Sequence, residues 1–251
     1  MLALKFFIPI FAKNIILTIM KIGVVIFPGS NCDHDMIYVL RNILEMDVAE
    51  LWHKDTDLQN ADVIILPGGF SYGDYLRSGA LASFSPIMEK VSEFANKGGY
   101  VLGICNGFQI LCETKLLPGA LLHNNTQKFE CKNVFILPDS KTAAPTAFIP
   151  SNSPLKIPIA HGEGRYYADK ETLANMRMND QILFRYCDEN GSISESVNPN
   201  GSVENIAGVC NENFNVYGMM PHPERAADDE LGNTDGRVIL ESFLKYVKER
   251  L

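Results

Sequence analysis

Four short apolar runs, "KIGVVIF" (21–27), "VAELW" (48–52), "DVIILP" (62–67) and "YVLGIC" (100–105), set the tightest limit on what this chain can fold into. Each is rich in Val, Ile or Leu and too short to be a helix, so each reads as a buried strand. Helical patterns separate them. Between the first two, Ile37, Leu40 and Leu44 repeat at helical spacing. Between the third and fourth, Pro86 opens a helix whose Ile87, Val91, Phe94 and Ala95 share one face, with Lys97 in its last turn and Gly98 just past it. The alternation predicts an α/β fold, an open and mostly parallel sheet flanked by helices on both faces. Ligand sites in such sheets lie beyond the carboxyl ends of the strands.

The second half changes character. "FECKNVFIL", "KIPIAHG", "ILFRYCD", "NIAGVCN" and "VYGMMPH" read as strands with turns such as "NPNG" between them and little helix. They are expected to run antiparallel, extending the sheet or forming a second small one. A last amphipathic helix, "GRVILESFLKYVKERL", closes the chain. No linker, repeat or low-complexity tract interrupts residues 20–251, which read as a single domain. Residues 1–19 read as an N-terminal extension of unclear role. They are apolar, but Lys5, Pro9, Lys13 and Asn14 break any uninterrupted span of about 18–20 apolar residues. No small-residue cleavage site precedes Lys21, so neither a membrane anchor nor a signal peptide is expected.

With 251 residues, 46% of them hydrophobic, the chain can bury a substantial core. A formal net charge of −8, with Lys and Arg scattered, excludes a nucleic-acid-binding role, which needs a basic surface to displace counterions. The six cysteines form no CxxC pair and no regular spacing, so neither a metal site nor a disulfide framework is indicated. A reducing cytoplasm is the simpler setting. The glycosylation sequons at Asn124 and Asn200 then carry no meaning.

The chemistry gathers where the fourth strand meets a helix. Gly103-Ile104-Cys105-Asn106-Gly107 has the form of a strand-to-helix nucleophile turn with Cys in place of Ser. Each glycine costs roughly 0.5–1 kcal/mol relative to alanine in a regular element, so two of them beside one thiol imply a sharp bend that needs the room. At a helix N-terminus a thiol also feels the dipole and free N–H groups that favour thiolate, and the Asn106 N–H points where an oxyanion would form. Cys112 reads as core. Cys32, in "PGSNCD", is the rival nucleophile but lacks paired glycines.

Such a thiol needs a histidine, and the histidine an orienting acceptor. Of five histidines, His34, His53 and His123 read as solvated or capping, which leaves His161 in "AHGEGRY" and His222 in "MMPHPER". Both have Glu two positions on, and in an extended segment residues i and i+2 face the same side, so either carboxylate can reach its imidazole Nδ1. Pro221 and Pro223 stiffen the second segment, while Gly162 and Gly164 loosen the first. His222 with Glu224 is therefore preferred. The stretch "ILPGGFSYGDYLRSGAL" (64–81) has no nucleotide-binding order and reads as a loop beside the nucleophile, in which Gly69 supplies a second oxyanion donor.

With these motifs in place, the sequence resembles the class I glutamine amidotransferases, whose nucleophile lies in G-x-C-x-G-x-Q and whose base lies in H-P-E. Within that class it is similar to the stand-alone glutaminase subunits of phosphoribosylformylglycinamidine synthase. "FPGSNCD", "PGGFSYGDYLRSGA", "GICNGFQIL", "AHGEGRY", "NPNGS", "NIAGVCN" and "GMMPHPER" carry the likeness in order from residue 27 to 225.

The resemblance implies a flavodoxin-like fold and a triad of Cys105, His222 and Glu224, with the oxyanion held by the N–H groups of Gly69 and Asn106 and the bound glutamine touched by Gln109. It implies hydrolysis of glutamine through a γ-glutamyl thioester. The ammonia passes to a large ATP-dependent synthase subunit, with a small third subunit bridging the two. ATP and Mg²⁺ then belong to the partner, and this chain is expected to hold no cofactor and no metal. "AHGEGRY", with His161, Glu163 and Arg165, falls either at the glutamine pocket or on the partner face. The departures from the family are the N-terminal extension and Ser78. Two other readings compete: a glutaminase or γ-glutamyl hydrolase of another pathway, against which "NPNGS" and "FPGSNCD" count, and a non-catalytic module, against which the intact Cys105, His222 and Glu224 count.

Overall fold

The computed structural model describes residues 20–251, so the extension expected over residues 1–19 lies outside the described residues. The four apolar runs form β1 (Lys21–Ile26), β2 (Asp47–Trp52), β3 (Val63–Leu66) and β4 (Tyr100–Ile104). Helix α1 (Asp33–Tyr38), continued by a wider turn over Val39–Ile43, crosses from β1 to β2, and α2 (Pro86–Asn96) crosses from β3 to β4. Pro86 takes the first position of α2, where its missing N–H is of no consequence, and Gly98 follows its end at φ +92°. Ile87, Val91 and Ala95 bury one face of α2.

Helix α3 (Asn106–Glu113) leaves β4 directly. Then come β5 (Ala120–Leu122), β6 (Glu130–Pro138), β7 (Leu155–His161), β8 (Arg165–Tyr167), α4 (Lys170–Met178), β9 (Ile182–Cys187), β10 (Ile206–Cys210), β11 (Val216–Met219) and α5 (Asp235–Lys248). Nine strands make one sheet in the order β2-β1-β3-β4-β11-β10-β9-β6-β7, so the second half extends the first sheet, while β5 and β8 pair separately.

Two features go beyond the expectation. Strand β11 runs antiparallel to β10 as expected, and on its other side it lies parallel to β4, with Val216 opposite Val101 and Met219 opposite Ile104. It is therefore the strand at which the sheet changes over: β6, β7, β9, β10 and β11 pair antiparallel among themselves, and β11 joins them to the parallel half through β4. Helix α4 was not anticipated, because only Leu173 and Met176 of its nine residues are buried and its apolar pattern is faint. Asp169 starts it by accepting a hydrogen bond from the Thr172 N–H.

The core is continuous through the sheet. Strands β3, β10 and β11 are buried at every residue, whereas at the two edges β7 alternates and β2 exposes Asp47, Glu50 and Trp52. Helix α5 buries Ile239, Leu240, Phe243, Leu244 and Val247. Its Gly236 lies so close to the turn at Pro223–Ala226 that a Cβ there would sit 2.1 Å from the Pro223 carbonyl oxygen. That contact presses the helix onto the segment carrying His222 and Glu224. Among the described residues no helix is long and apolar enough to cross a membrane.

Candidate active site

Strands β1, β3, β4 and β11 lie next to one another and parallel, so their carboxyl ends open onto one edge of the sheet. The segments leaving that edge carry Cys32, Gly68 and Gly69, Cys105, and His222 respectively, at the place where open parallel sheets bind ligands.

Cys105 joins β4 to α3 with φ +49° and ψ −102°, a conformation that side-chain-bearing residues avoid. The glycines around it make the bend sterically feasible. A Cβ on Gly103 would lie 2.7 Å from the Gly107 carbonyl, and one on Gly107 would lie 2.0 Å from the Leu66 carbonyl oxygen, so the strand and helix could not approach across β3 with larger residues. No side chain caps α3, which leaves the first N–H groups of the helix to whatever enters the site. The Cys105 thiol is buried and donates to the Ala160 carbonyl at 3.7 Å.

The histidine at this site is His222. It is extended at φ −101° and ψ 90°, with its N–H bonded to the Pro158 carbonyl at 2.8 Å. Its Nδ1 meets the Glu224 Oε1 at 2.6 Å. The carboxylate arrives by a different route from the one expected, because Glu224 lies in the helical turn Pro223–Ala226 and not on a strand. Glycine is needed once more: a Cβ on Gly68 would fall 2.6 Å from the His222 Cε1. Burial alone would push the imidazole pKa down, but the Glu224 carboxylate and the sulfurs of Cys105 and Cys32, both within hydrogen-bonding reach, hold it well above its ordinary value. His222 Nε2 and Glu224 Oε2 are buried without an aligned hydrogen-bond partner.

The second histidine candidate is placed differently. His161 is buried, with Nδ1 3.1 Å from Asn124 Oδ1 and Nε2 3.5 Å from Asn200 Nδ2. Asn124 also accepts from the Gly164 N–H at 3.0 Å, and Asn200 donates to the Gly164 carbonyl at 2.8 Å. The expectation that Gly162 and Gly164 loosen this segment is therefore reversed: Gly164 lets the chain fold over the imidazole, and a Cβ there would sit 2.2 Å from His161 Cε1. Burial, and then the charge of His222, lower the His161 pKa to about 4. Glu163 does not reach it; its carboxylate accepts from the Ser78 N–H at 3.2 Å and lies 3.6 Å from His123 Nδ1. Asn124 and Asn200, left without meaning by local sequence, are thus structural, and both are fully buried.

Other expected residues fall as follows. Gln109 is buried beside the site, donating to the Glu163 carbonyl at 2.7 Å and accepting from Asn106 Nδ2 at 3.0 Å. Asn106 Oδ1 accepts the Ser71 N–H at 3.2 Å, which seats the loop after β3 against the start of α3. Gly69, at φ +128°, passes so close to Asn31 that a Cβ would meet its backbone nitrogen at 2.7 Å. Cys112 is core, its thiol pKa raised by burial. His53, expected to be solvated or capping, is buried just past β2 with Nδ1 2.7 Å from the Tyr72 hydroxyl, because the loop carrying Tyr72 folds over it. Burial also raises the pKa of the Cys32 thiol.

Cys32, His222 and Glu224 present donor atoms within 4.8 Å of one another, a set that could by type hold a soft divalent ion. It does not fit one here. The Arg225 guanidinium donates to the Cys32 sulfur at 3.1 Å, putting a fixed positive charge at the site, and the Nδ1 that faces the carboxylate is already engaged. All six cysteines are free.

The sequence profile of the CobB/CobQ-like glutamine amidotransferase domain matches residues 20–236. A phosphoribosylformylglycinamidine synthase subunit PurQ from Koribacter versatilis is 55% identical over 231 residues, spanning 92% of this chain and 100% of that protein. The PurQ subunit of Aquifex aeolicus is 55% identical over 225 residues, or 90% of this chain and 99% of that one. Among solved structures, PurLQS from Thermotoga maritima superposes with a TM-score of 0.79 at 40% identity, covering 91% of this chain and 99% of the matched one. A glutamine amidotransferase from the same organism shares the fold at 15% identity and a TM-score of 0.57.

Proposed function

The chain belongs to the PurQ family of glutamine amidotransferases, and from that premise we propose how its residues make it the glutaminase subunit of phosphoribosylformylglycinamidine synthase. The enzyme hydrolyses glutamine to glutamate and ammonia. A large ATP-dependent subunit uses the ammonia to convert formylglycinamide ribonucleotide to formylglycinamidine ribonucleotide in purine biosynthesis.

In the working form the Cys105 sulfur is a thiolate and His222 an imidazolium. The thiolate attacks the side-chain amide carbon of glutamine, and the negative charge moves to the amide oxygen, held by the N–H groups of Gly69 and Asn106. Such a donor is typically worth about 10²–10³ in rate. His222 gives its Nε2 proton to the amide nitrogen as the C–N bond breaks, releasing ammonia and leaving a γ-glutamyl thioester. The neutral imidazole then takes a proton from water, whose oxygen attacks the thioester carbon. Collapse expels the thiolate and frees glutamate, with His222 again protonated. Glu224 holds the imidazole in the tautomer with Nε2 facing the thiol. Gln109 retains one donor and one acceptor position for the substrate after its two internal bonds.

The single observation that carries this reading is the strained Cys105 between β4 and α3, next to an imidazole bound at 2.6 Å to a buried carboxylate. Purified complexes carrying Cys105→Ala should lose glutamine-dependent synthesis and keep synthesis from ammonium salts. Glutamine use by that variant would refute the assignment.

This chain needs no cofactor of its own in this reading; ATP and Mg²⁺ act on the large subunit, a small subunit bridges the two, and the site of action is the cytoplasm. Ammonia must leave without meeting bulk water, so the partner has to cover the rim of the site. The loop after β3 supplies the surface. Tyr75 and Leu76 are 73% and 86% exposed, and Phe70 packs on Phe129 with centroids 6.1 Å apart, beside a segment bonded to Asn106. Leu76→Asp should weaken recovery of the assembled complex about tenfold or more, as a charge placed at a desolvated contact does. Unchanged assembly would place the interface elsewhere.

A further inference from the structure

We propose that Cys32 is a positioning residue for the glutaminase reaction: its sulfur, with Asp35, holds the Arg225 guanidinium away from Glu224, so that the Glu224 carboxylate serves His222 alone. This rests on the assignment of His222 and Glu224 made above.

Arg225 follows Glu224 directly in a tight helical turn. Guanidinium and carboxylate form strong, short hydrogen bonds when both are free to do so, and Glu224 Oε2 is a buried acceptor with no partner. Yet among the described residues Arg225 makes its ion pair elsewhere. Its Nε donates to Asp35 Oδ2 at 3.1 Å and its Nη2 to Cys32 Sγ at 3.1 Å. The sulfur is itself fixed, donating to Asn31 Oδ1 at 3.4 Å and seated where a Cβ on Gly68 would be 3.2 Å away. It lies within 4.8 Å of both the His222 and the Glu224 donor atoms, so a guanidinium held on the sulfur is anchored close to the carboxylate without being bonded to it. Because burial keeps Cys32 a neutral thiol, it accepts from Arg225 without adding a charge beside the imidazole.

The titratable and charged groups around His222 are Glu224, Cys105, Cys32 and His161, with Arg225 behind Cys32. Only Arg225 is both permanently cationic and partly exposed, its side chain 33% accessible, so it is the group with freedom to turn. Turned onto Glu224, it would share the carboxylate's charge, weaken the hold on Nδ1 and remove support from the imidazolium. The active protonation state would then be lost at a lower pH.

The test is steady-state kinetics of the complete complex with glutamine as donor, over a pH series. Cys32→Ala should lower kcat about tenfold, well short of the 10²–10⁴ expected for loss of the base itself. The KM for glutamine should stay within about twofold, and the basic limb of the pH profile should move to lower pH. Cys32→Ser, which keeps an acceptor for Arg225, should restore most of the rate and the limb. In an Arg225→Ala background, Cys32→Ala should have no further effect, since the guanidinium it restrains is gone. Wild-type kinetics for Cys32→Ala, or an undiminished effect in the Arg225→Ala background, would overturn the proposal. Should Cys32→Ala fail to fold, Asp35→Ala releases the other tether and reads out in the same way. Glutamine use by a His222→Ala variant would instead overturn the assignment on which the proposal rests.

Discussion

His161 and His222 look alike in sequence, each a histidine with glutamate two residues later near the end of a strand, yet the fold puts them to opposite uses. Around His222 the decisive partner is charged, the Glu224 carboxylate at 2.6 Å, with the sulfurs of Cys105 and Cys32 within hydrogen-bonding reach. Around His161 they are neutral amides, Asn124 and Asn200. Both rings are buried, so burial cannot be what separates them. A carboxylate in contact stabilises the imidazolium and outweighs desolvation, whereas an amide satisfies the hydrogen-bonding positions of a neutral ring and leaves desolvation unopposed. One ring can therefore cycle a proton. The other is a fixed polar strut that ties β7, the 162–164 turn and the segment at Asn200 together.

The comparison breaks most readily on activity. His222→Ala should cost about 10²–10⁴ in glutaminase rate, together with the stability lost when the buried Glu224 carboxylate is left without its imidazole partner. His161→Ala should cost stability and largely spare the rate. It empties the space of a buried ring and removes that ring's hydrogen bonds to Asn124 and Asn200, which costs about 1–3 kcal/mol, while its glutaminase rate stays within about tenfold. Paired measurements of ammonia release and urea denaturation on both variants decide this. A His161 variant as inactive as the His222 variant would mean that both rings touch the reacting atoms.

Local sequence carried some of this and not the rest, for definable reasons. Strands β1 to β4, α2 and α5 were legible because apolar period and length decide them. Cys105 was legible because a bend of that kind demands small neighbours on both sides, and the chain supplies Gly103 and Gly107. The parallel pairing of β11 with β4 was not legible. A four-residue buried run has the same composition whichever way its neighbours run, and only the fold sets it beside β4. Nor were the partners of His161, which come from 37 and 39 residues away and leave no trace in local spacing. Glycine misled for a related reason: at Gly164 its smallness admits a neighbouring ring and so stiffens the segment, an effect that depends on what packs there and not on glycine itself. The contact between Arg225 and Cys32, 193 residues apart, belongs to the same class.

The gentlest test of the contrast is the pH dependence of stability. An unfolded histidine titrates near 6.5, while His161 in the folded protein is held at about 4 by burial and by the charge of His222. A folded pKa below the unfolded one means that its stability is fully present above pH 6.5 and is lost as pH falls toward 4, because the unfolded chain binds the extra proton first. The full shift corresponds to about 3 kcal/mol. His222 has the opposite sign: raised in the folded state, it contributes fully below the unfolded value and loses its contribution only as pH rises through its folded value. Between pH 4 and 6.5 it is protonated in both states and adds little slope, so His161 dominates the contribution of the pair there. The difference in unfolding free energy between the wild type and His161→Asn removes the background from the carboxylates, and it should shrink as pH is lowered across that window. An NMR titration reports the same quantity without a substitution, since the His161 ring protons should stay at their neutral shifts below pH 5. A ring that titrated near 6.5, or a difference flat with pH, would mean that the amide cage does not exclude the proton, and the distinction between the two histidines would then rest on Glu224 alone.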